Sequence, residues 1–193
     1  MENIERLQSK GLKVDHKIID LSSAMGSFHS ALTDENLDVP EGHYEEAQMK
    51  QTVVPNRNAI FSSILYGKGL TISQIEDCDI IVALGVHSGD HAIYPDCRPE
   101  FYKALSTAFT IGNWGSERIS FELPYINGNK TTILKDALYS CDILNLNFNE
   151  IMASTITSYN PDKLGRSSGK SGSDVERILA FHEIGHVDPI EYS

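Results

Sequence analysis

Cysteine is scarce in this 193-residue sequence, where only Cys78, Cys97 and Cys141 occur and no Cys-x-x-Cys pair is formed. An odd number of unpaired cysteines argues against a disulfide framework and indicates a reducing compartment. The residues after Met1 lack the apolar core of a signal peptide, and no apolar run is long enough to span a membrane. We therefore expect an intracellular, cytoplasmic protein.

Positive charge is also in short supply, since 16 basic residues face 27 acidic ones and the net charge is −11. Such a surface is poorly suited to bind the phosphates of nucleic acids or an anionic membrane, so neither partner is expected. The length, with 40% hydrophobic residues, is enough for one domain with a real core. We predict a single domain over residues 1–193.

The stretch from Gly85 to Phe101 carries the densest group of polar and aromatic side chains. An apolar run over residues 79–86 predicts a buried strand before it, and residues 99–109 predict an amphipathic helix after it. In open α/β sheets, the loop at the carboxyl end of a strand is where ligands bind. The alternative interpretation is a solvated loop whose Tyr-Pro-Asp sequence is only a turn.

The candidate ligand-binding residues of this loop fall into three chemical kinds. Rings can stack on a heterocycle, carboxylates can accept hydrogen bonds from amino or ring N–H groups, and a guanidinium can bind a phosphate or carboxylate. In that order, they are His87 and Tyr94, Asp90 and Asp96, and Arg98.

A second candidate group lies at the start of a helix that we predict from an N-cap at Asn56 to about Tyr66. Arg57 and Asn58 fall in its first turn, where free backbone amides and a guanidinium can receive an anion or a planar base. The alternative partner for Arg57 is the acidic loop over residues 34–50. The sequence Gly67-Lys68-Gly69 then predicts a turn.

Four further segments complete the predicted order of elements. Residues 2–10 predict a short helix, residues 13–21 and 119–125 predict strands, and Ser173-Asp174-Val175-Glu176 is a capping box for a final helix. Lys130, in the helix after residues 127–129, is a candidate phosphate ligand, although such lysines are more often solvated.

Two motifs near the carboxyl terminus suggest functions that we do not assign. His182-Glu183-Ile184-Gly185-His186 matches the zinc-protease pattern, but Gly185 and the following Asp-Pro predict that the helix stops inside it. Residues 165–171 resemble a phosphate-binding Walker A loop but have three residues between the glycines where the motif requires four.

Several of these segments resemble the QueC family, the 7-cyano-7-deazaguanine synthases of queuosine biosynthesis. Its signature is matched by Gly85-Val86-His87, Asp90 and the unbroken block Tyr94-Pro95-Asp96-Cys97-Arg98-Pro99-Glu100-Phe101. Residues 30–34, 54–58, 123–124, Lys130 and 155–193 follow in the family's order. The resemblance implies a Rossmann-like α/β domain of the adenine nucleotide α-hydrolase type, with a mainly parallel sheet between helices, and a homodimer.

The sequence departs from the family pattern at three places. The family's Ser-Gly-Gly-x-Asp-Ser pyrophosphate loop should precede residue 1 and occurs nowhere here, so we expect a fold truncated at its amino end. Gly89 and His91 stand where the family has Glu and Tyr. The family's four zinc-binding cysteines match Ser158, Ser168, Ser171 and Asp174, which are poor zinc ligands, so residues 155–193 are expected to be a degenerate zinc segment without metal.

These departures favour a non-catalytic protein with no cofactor and no catalytic residues, which keeps a pocket for a deazaguanine-like or nucleotide-like ligand. One use for it would be a phage-encoded sponge that sequesters a nucleotide immune signal in a bacterial cell. The alternatives are an ATP-dependent 7-cyano-7-deazaguanine synthase whose pyrophosphate loop comes from another chain, and an interaction subunit whose uncovered sheet edge pairs with a partner.

Overall fold

The computed structural model describes residues 1–34, 36–42, 47–90 and 92–193, without the side chains of Ala47 and Asp90. Within these ranges the chain contains helices and a small sheet, which confirms the predicted α/β class. The α-helices are α1 (Glu2–Ser9), α2 (Ser22–Met25), α3 (Arg57–Glu76), α4 (Pro99–Gly112), α5 (Lys130–Ile143), α6 (Phe148–Ala153) and α7 (Gly172–Glu183). The strands are β1 (Ile80–Ala83) and β2 (Ile119–Glu122).

The chain divides into two compact units. Unit 1 contains Met1–Thr52 and Lys130–Ser193, and unit 2 contains Val53–Asn129. The single domain over residues 1–193 stays a prediction. No helix in the described ranges combines the length and the apolar character that crossing a membrane would require.

The sheet of unit 2 is parallel, as predicted, with Ile80 opposite Ile119 and Ala83 opposite Glu122. An aromatic cluster joins the sheet to the helices beside it. The ring of Tyr66 on α3 lies 4.7 Å from that of Phe109 on α4 and 5.9 Å from that of Phe121 on β2. These contacts partly cover the side of β2 that faces α3 and α4.

Helix α3 is twice as long as the sequence suggested, and the turn predicted at Gly67-Lys68-Gly69 is wrong. Gly69 is buried inside the helix, and a Cβ atom at this position would stand 3.2 Å from Ile80 Cγ2 and 3.7 Å from Val82 Cγ2. Glycine is therefore used here for the close approach of α3 to β1 and not for its turn-forming ability. The packing against the sheet compensates for the low helix propensity of glycine.

In unit 1, helix α1 confirms the prediction over residues 2–10, whereas the strand predicted over residues 13–21 is wrong. Residues 13–20 adopt no regular structure, and the side chains of Ile18 and Ile19 are 78% and 52% exposed. Alternation of apolar residues is not enough for a strand, because its backbone groups need a neighbouring strand and its apolar face needs a covering layer.

The core of unit 1 lies between its carboxyl-terminal helices. Leu134 of α5 and Ala180 and Phe181 of α7 are buried together, and Phe148 and Met152 of α6 pack against them. This core positions the carboxyl-terminal segment, in which the family resemblance places a metal.

Candidate functional site

The loop that follows β1 is hydrogen-bonded to β2 and to the loop that follows it. The Leu84 N–H donates to the Glu122 carbonyl at 3.2 Å, and the Ser88 N–H donates to the Gly128 carbonyl at 2.7 Å. The Ser88 hydroxyl also donates to Gly128. Both loops leave the carboxyl ends of parallel strands, which is the edge at which α/β sheets bind ligands.

Helix α3 begins against the loop after β1. The Asn58 backbone N–H donates to Asp96 Oδ2 at 3.1 Å, and the Asn58 side-chain amide donates to the Asp96 carbonyl at 3.2 Å and to Cys97 Sγ at 3.3 Å. The predicted N-cap, Asn56, occupies that position, but its side chain makes no capping hydrogen bond. Asp96 therefore supplies the acceptor that the first turn of α3 requires.

Arg57 and Tyr94 are also in contact at this start of α3. The Arg57 guanidinium carbon lies 5.4 Å from the centre of the Tyr94 ring, within the range of a cation–π interaction. Tyr94 is only 2% exposed, so its ring is packed in the interior of unit 2 and not open to a ligand as the sequence suggested. This arrangement holds the charge of Arg57 beside the loop.

Tyr102 is a residue of this region that the sequence analysis did not single out. It lies one turn into α4, is 3% exposed, and its N–H donates to the Arg98 carbonyl at 3.4 Å. Burial raises the pKa of Tyr102, and the nearby Cys97 and Asp96 raise it further. Its spacing of four residues after Arg98 was the only signal in the sequence that it would face the loop.

The eight predicted site residues are placed as follows. Arg57, Asn58, Tyr94 and Asp96 are brought together in unit 2. His87 is buried in the same loop, and Arg98 is partly exposed and immediately precedes α4. The side chain of Asp90 and all of the neighbouring His91 lie outside the described residues.

Lys130, the eighth residue, is the first residue of α5 and belongs to unit 1. Its Nζ atom lies 2.5 Å from Glu176 Oε2, and the two side chains are only 17% and 16% exposed. A lysine that neutralises a neighbouring glutamate in this way has less charge to offer a phosphate. Its predicted role as a ligand stays a prediction.

The zinc-protease motif is divided by the end of a helix, as predicted. Helix α7 ends at Glu183, and Gly185 adopts a left-handed conformation with φ +71°. Glu183 accepts a hydrogen bond from Thr131 at 2.6 Å, and the His186 ring stands edge-on to Phe148. In the part of the chain that is described, no three His, Cys, Asp or Glu side chains are grouped so that they could hold a metal ion.

Comparison with known proteins identifies the family. The family model for "Queuosine biosynthesis protein QueC" matches residues 1–185. The chain belongs to the QueC family. It is 41% identical over 181 residues to a 7-cyano-7-deazaguanine synthase from Alteromonas mediterranea, with 94% of this chain and 75% of that protein covered. Synthases of Psychromonas ingrahamii (41%) and Methanoregula boonei (40%) match with 94% of this chain and 75% and 76% of theirs.

Family membership gives the two motifs of unit 2 a common context. The signature block of residues 94–101 and the Arg-Asn pair at 57–58 are separate in the QueC sequence pattern, but the hydrogen bonds of Asn58 join them into one structure. The candidate site thus consists of the amino end of α3 and the loop after β1.

Proposed function

We propose that this QueC-family chain binds a 7-deazaguanine at the carboxyl end of β1 and takes part in the synthesis of 7-cyano-7-deazaguanine. The observation that carries the proposal is the pair of hydrogen bonds from Asn58 to Asp96. Together with the contact between Arg57 and Tyr94, they connect the start of α3 to the family's signature loop. The relatives that match most of the chain carry the name 7-cyano-7-deazaguanine synthase.

The proposed roles rest on the contacts of Asn58 and Asp96 and on the chemistry of the other side chains. Asp96 and Asn58 bond to each other and are positioning residues that fix the start of α3. Arg57 and Arg98 supply positive charge for a carboxylate or phosphate, and guanidinium groups bind such anions with paired hydrogen bonds. For His87 we propose stacking on the heterocycle, and for Asp90 acceptance of hydrogen bonds from its amino or ring N–H groups, the roles that their chemistry favours.

The reaction that the family resemblance implies is ATP-dependent conversion of a carboxylate into a nitrile. The test is to incubate the protein with ATP, ammonium and 7-carboxy-7-deazaguanine and to follow the nitrile by mass spectrometry. Loss of one charged hydrogen bond costs about 1.5–3 kcal/mol, so Arg98→Ala should lower binding of the carboxylate about 10- to 150-fold.

Arg118→Ala is the matched control for this experiment. Arg118 immediately precedes β2 and pairs with Asp77 and Asp79, so it lies at the opposite, amino end of the strands. Its replacement should leave binding and turnover unchanged. Equal losses in both variants, or no binding by the unaltered protein, would contradict the proposed site.

A non-catalytic binding protein is the second candidate function. It is favoured by Gly89 and His91, which replace the Glu and Tyr of the family pattern beside Asp90 and would reshape the wall of the pocket. Equilibrium dialysis against deazaguanines, ATP, and linear and cyclic nucleotides distinguishes the two. Retention of one intact compound without turnover would support sequestration, including the proposed phage sponge.

Two further properties are proposed from the resemblance alone. The sheet is proposed to be of the adenine nucleotide α-hydrolase type, and the protein is proposed to form a homodimer. Sedimentation equilibrium tests the second property directly, because a monomer at micromolar concentration would contradict it.

A further inference from the structure

The carboxyl-terminal segment, residues 155–193, carries a set of side chains that does not fit the metal implied by the family. The matched positions are Ser158, Ser168, Ser171 and Asp174, which offer three hydroxyls and one carboxylate. Structural zinc sites are built from four thiolate or imidazole ligands in a tetrahedral arrangement. Neutral hydroxyl oxygens are poor ligands for zinc, so this set of donors cannot replace four thiolates.

Two of the four positions form the cap of a helix. Ser171 is the N-cap of α7, and its hydroxyl accepts a hydrogen bond from the Asp174 N–H at 3.3 Å. The capping box predicted at Ser173 is therefore wrong by two residues, because α7 already begins at Gly172. A side-chain cap of this kind satisfies a backbone donor that the helix cannot satisfy itself.

Hydroxyl groups also join the start of α7 to the segment around Thr157. The Ser173 hydroxyl donates to the Thr157 carbonyl at 2.7 Å and lies 3.0 Å from the Ser171 hydroxyl. The Thr157 hydroxyl donates to Asp174 Oδ1 at 3.3 Å, and Asp174 is fully buried. These bonds connect the two segments that carry the matched cysteine positions, which is the connection that a shared zinc ion would make.

A buried ion pair adds a second connection one turn further along α7. Arg177 donates to both carboxylate oxygens of Asp188, at 2.6 and 2.8 Å, and their side chains are 5% and 7% exposed. Arg177 also donates to the Thr155 hydroxyl and the Met152 carbonyl, and the Tyr192 hydroxyl donates to Asp188 at 2.6 Å. Segments before and after α7 are thereby held to one side chain.

We propose that the carboxyl-terminal segment of this protein folds and remains stable without zinc, because the oxygen network at Ser171 and Asp174 and the Arg177–Asp188 pair make the connections that the metal would make. One carboxylate oxygen of Asp174 is buried and has no hydrogen-bond partner in the described part of the chain. This oxygen is the atom to which a divalent cation could still bind. The experiment must therefore be able to detect a bound cation.

The test measures the metal content and the melting temperature of the full chain after expression in zinc-supplemented medium. We expect substoichiometric zinc by elemental mass spectrometry and the same melting temperature before and after treatment with EDTA. Ser171→Ala should lower the melting temperature by about 2–4 °C, the effect of losing one helix cap in a protein of this size. Ser23→Ala, at an exposed position in α2, should leave it unchanged.

The combined variant Ser158→Cys, Ser168→Cys, Ser171→Cys and Asp174→Cys is the positive control. It should bind one zinc ion per chain and become sensitive to EDTA, because its thiolates would restore the ligand set of the family. Stoichiometric metal in the unaltered chain, or a fall in its melting temperature with EDTA, would overturn the proposal. Failure of a folded four-cysteine variant to bind zinc would also count against it, since these positions would then not be the metal site.

Discussion

The Asn58 backbone N–H donates to the Asp96 carboxylate at 3.1 Å, and the Asn58 side-chain amide also donates to the Asp96 carbonyl at 3.2 Å. The two residues are 38 positions apart in the sequence. This double contact makes the first turn of α3 and the signature loop one structural element. A change in either residue should therefore disturb both.

Replacing Asp96 should destabilise the protein, because the first turn of α3 would lose its acceptor. We expect Asp96→Ala to lower the free energy of unfolding by about 1–2 kcal/mol, the usual range for loss of a capping side chain. Urea denaturation followed by circular dichroism measures the change. Asn56→Gly is the control, since this exposed residue makes no side-chain cap and already has a left-handed backbone, so it should change stability by only a few tenths of a kcal/mol.

The contact between Arg57 and Tyr94 should appear as a coupling energy. In a double-mutant cycle with Arg57→Ala and Tyr94→Leu, we expect a coupling of about 0.5–1 kcal/mol, the usual size of a cation–π interaction that is partly exposed. A parallel cycle with Lys68→Ala, an exposed residue of α3, should give no coupling with Tyr94→Leu. Equal coupling in both cycles would show that the effect is not specific to the Arg57 contact.

The sequence predicted helices and strands correctly where the local pattern of apolar residues agrees with the tertiary structure. The apolar run over residues 79–86 and the amphipathic stretch over residues 99–109 predicted a strand and a helix, and both are present as Ile80–Ala83 and Pro99–Gly112. The burial predicted for the strand is wrong, because only Val82 of β1 is buried and Ile81 is 63% exposed. The strand over residues 13–21 failed because alternation alone does not supply a neighbouring strand. At Gly69 the local turn signal was overridden by a close contact with β1, which no local rule contains.

The sequence suggested the candidate site residues one by one, but not the contacts among them. The sequence indicated that Asn58 and Asp96 belong to a site, whereas their pairing depends on a contact across 38 residues. It likewise gave no sign that Lys130 would be paired with Glu176. A sequence shows which side chains can bind a ligand. Tertiary packing decides which of them are already engaged in a hydrogen bond or an ion pair within the protein.

Two glycines of α3 should respond in different ways to alanine. Gly67→Ala should raise the free energy of unfolding by about 0.5–1 kcal/mol, since nothing lies within 4 Å of the added Cβ and alanine favours the helix. Gly69→Ala gains the same propensity but places its Cβ 3.2 Å from Ile80 Cγ2, so its net gain should be smaller or negative. Urea denaturation of both variants measures the difference, and equal stabilisation would contradict the close packing of α3 on β1.

The ion pair of Arg177 and Asp188 should make stability depend on acid pH. Burial alone would raise the pKa of Asp188, but the hydrogen bonds from Arg177 and Tyr192 outweigh it and leave the pKa below its usual value. A carboxyl group with a lowered pKa stabilises the fold above its unfolded pKa of about 3.9, and this contribution is lost as the pH falls through the lower, folded pKa. The unaltered protein should therefore lose stability steeply below about pH 4.

Asp188→Asn should remove that part of the acid dependence and leave the Arg177 guanidinium buried without a counter-charge. Breaking a buried pair in this way costs about 3–5 kcal/mol at neutral pH. Tyr192→Phe is the matched variant, because it removes one hydrogen bond from Asp188 but keeps the ion pair, so it should cost only about 1 kcal/mol and keep the acid dependence. Unfolding measured from pH 2 to 7 distinguishes the two variants. Similar losses in both would show that the hydroxyl, and not the ion pair, holds the carboxyl-terminal segment.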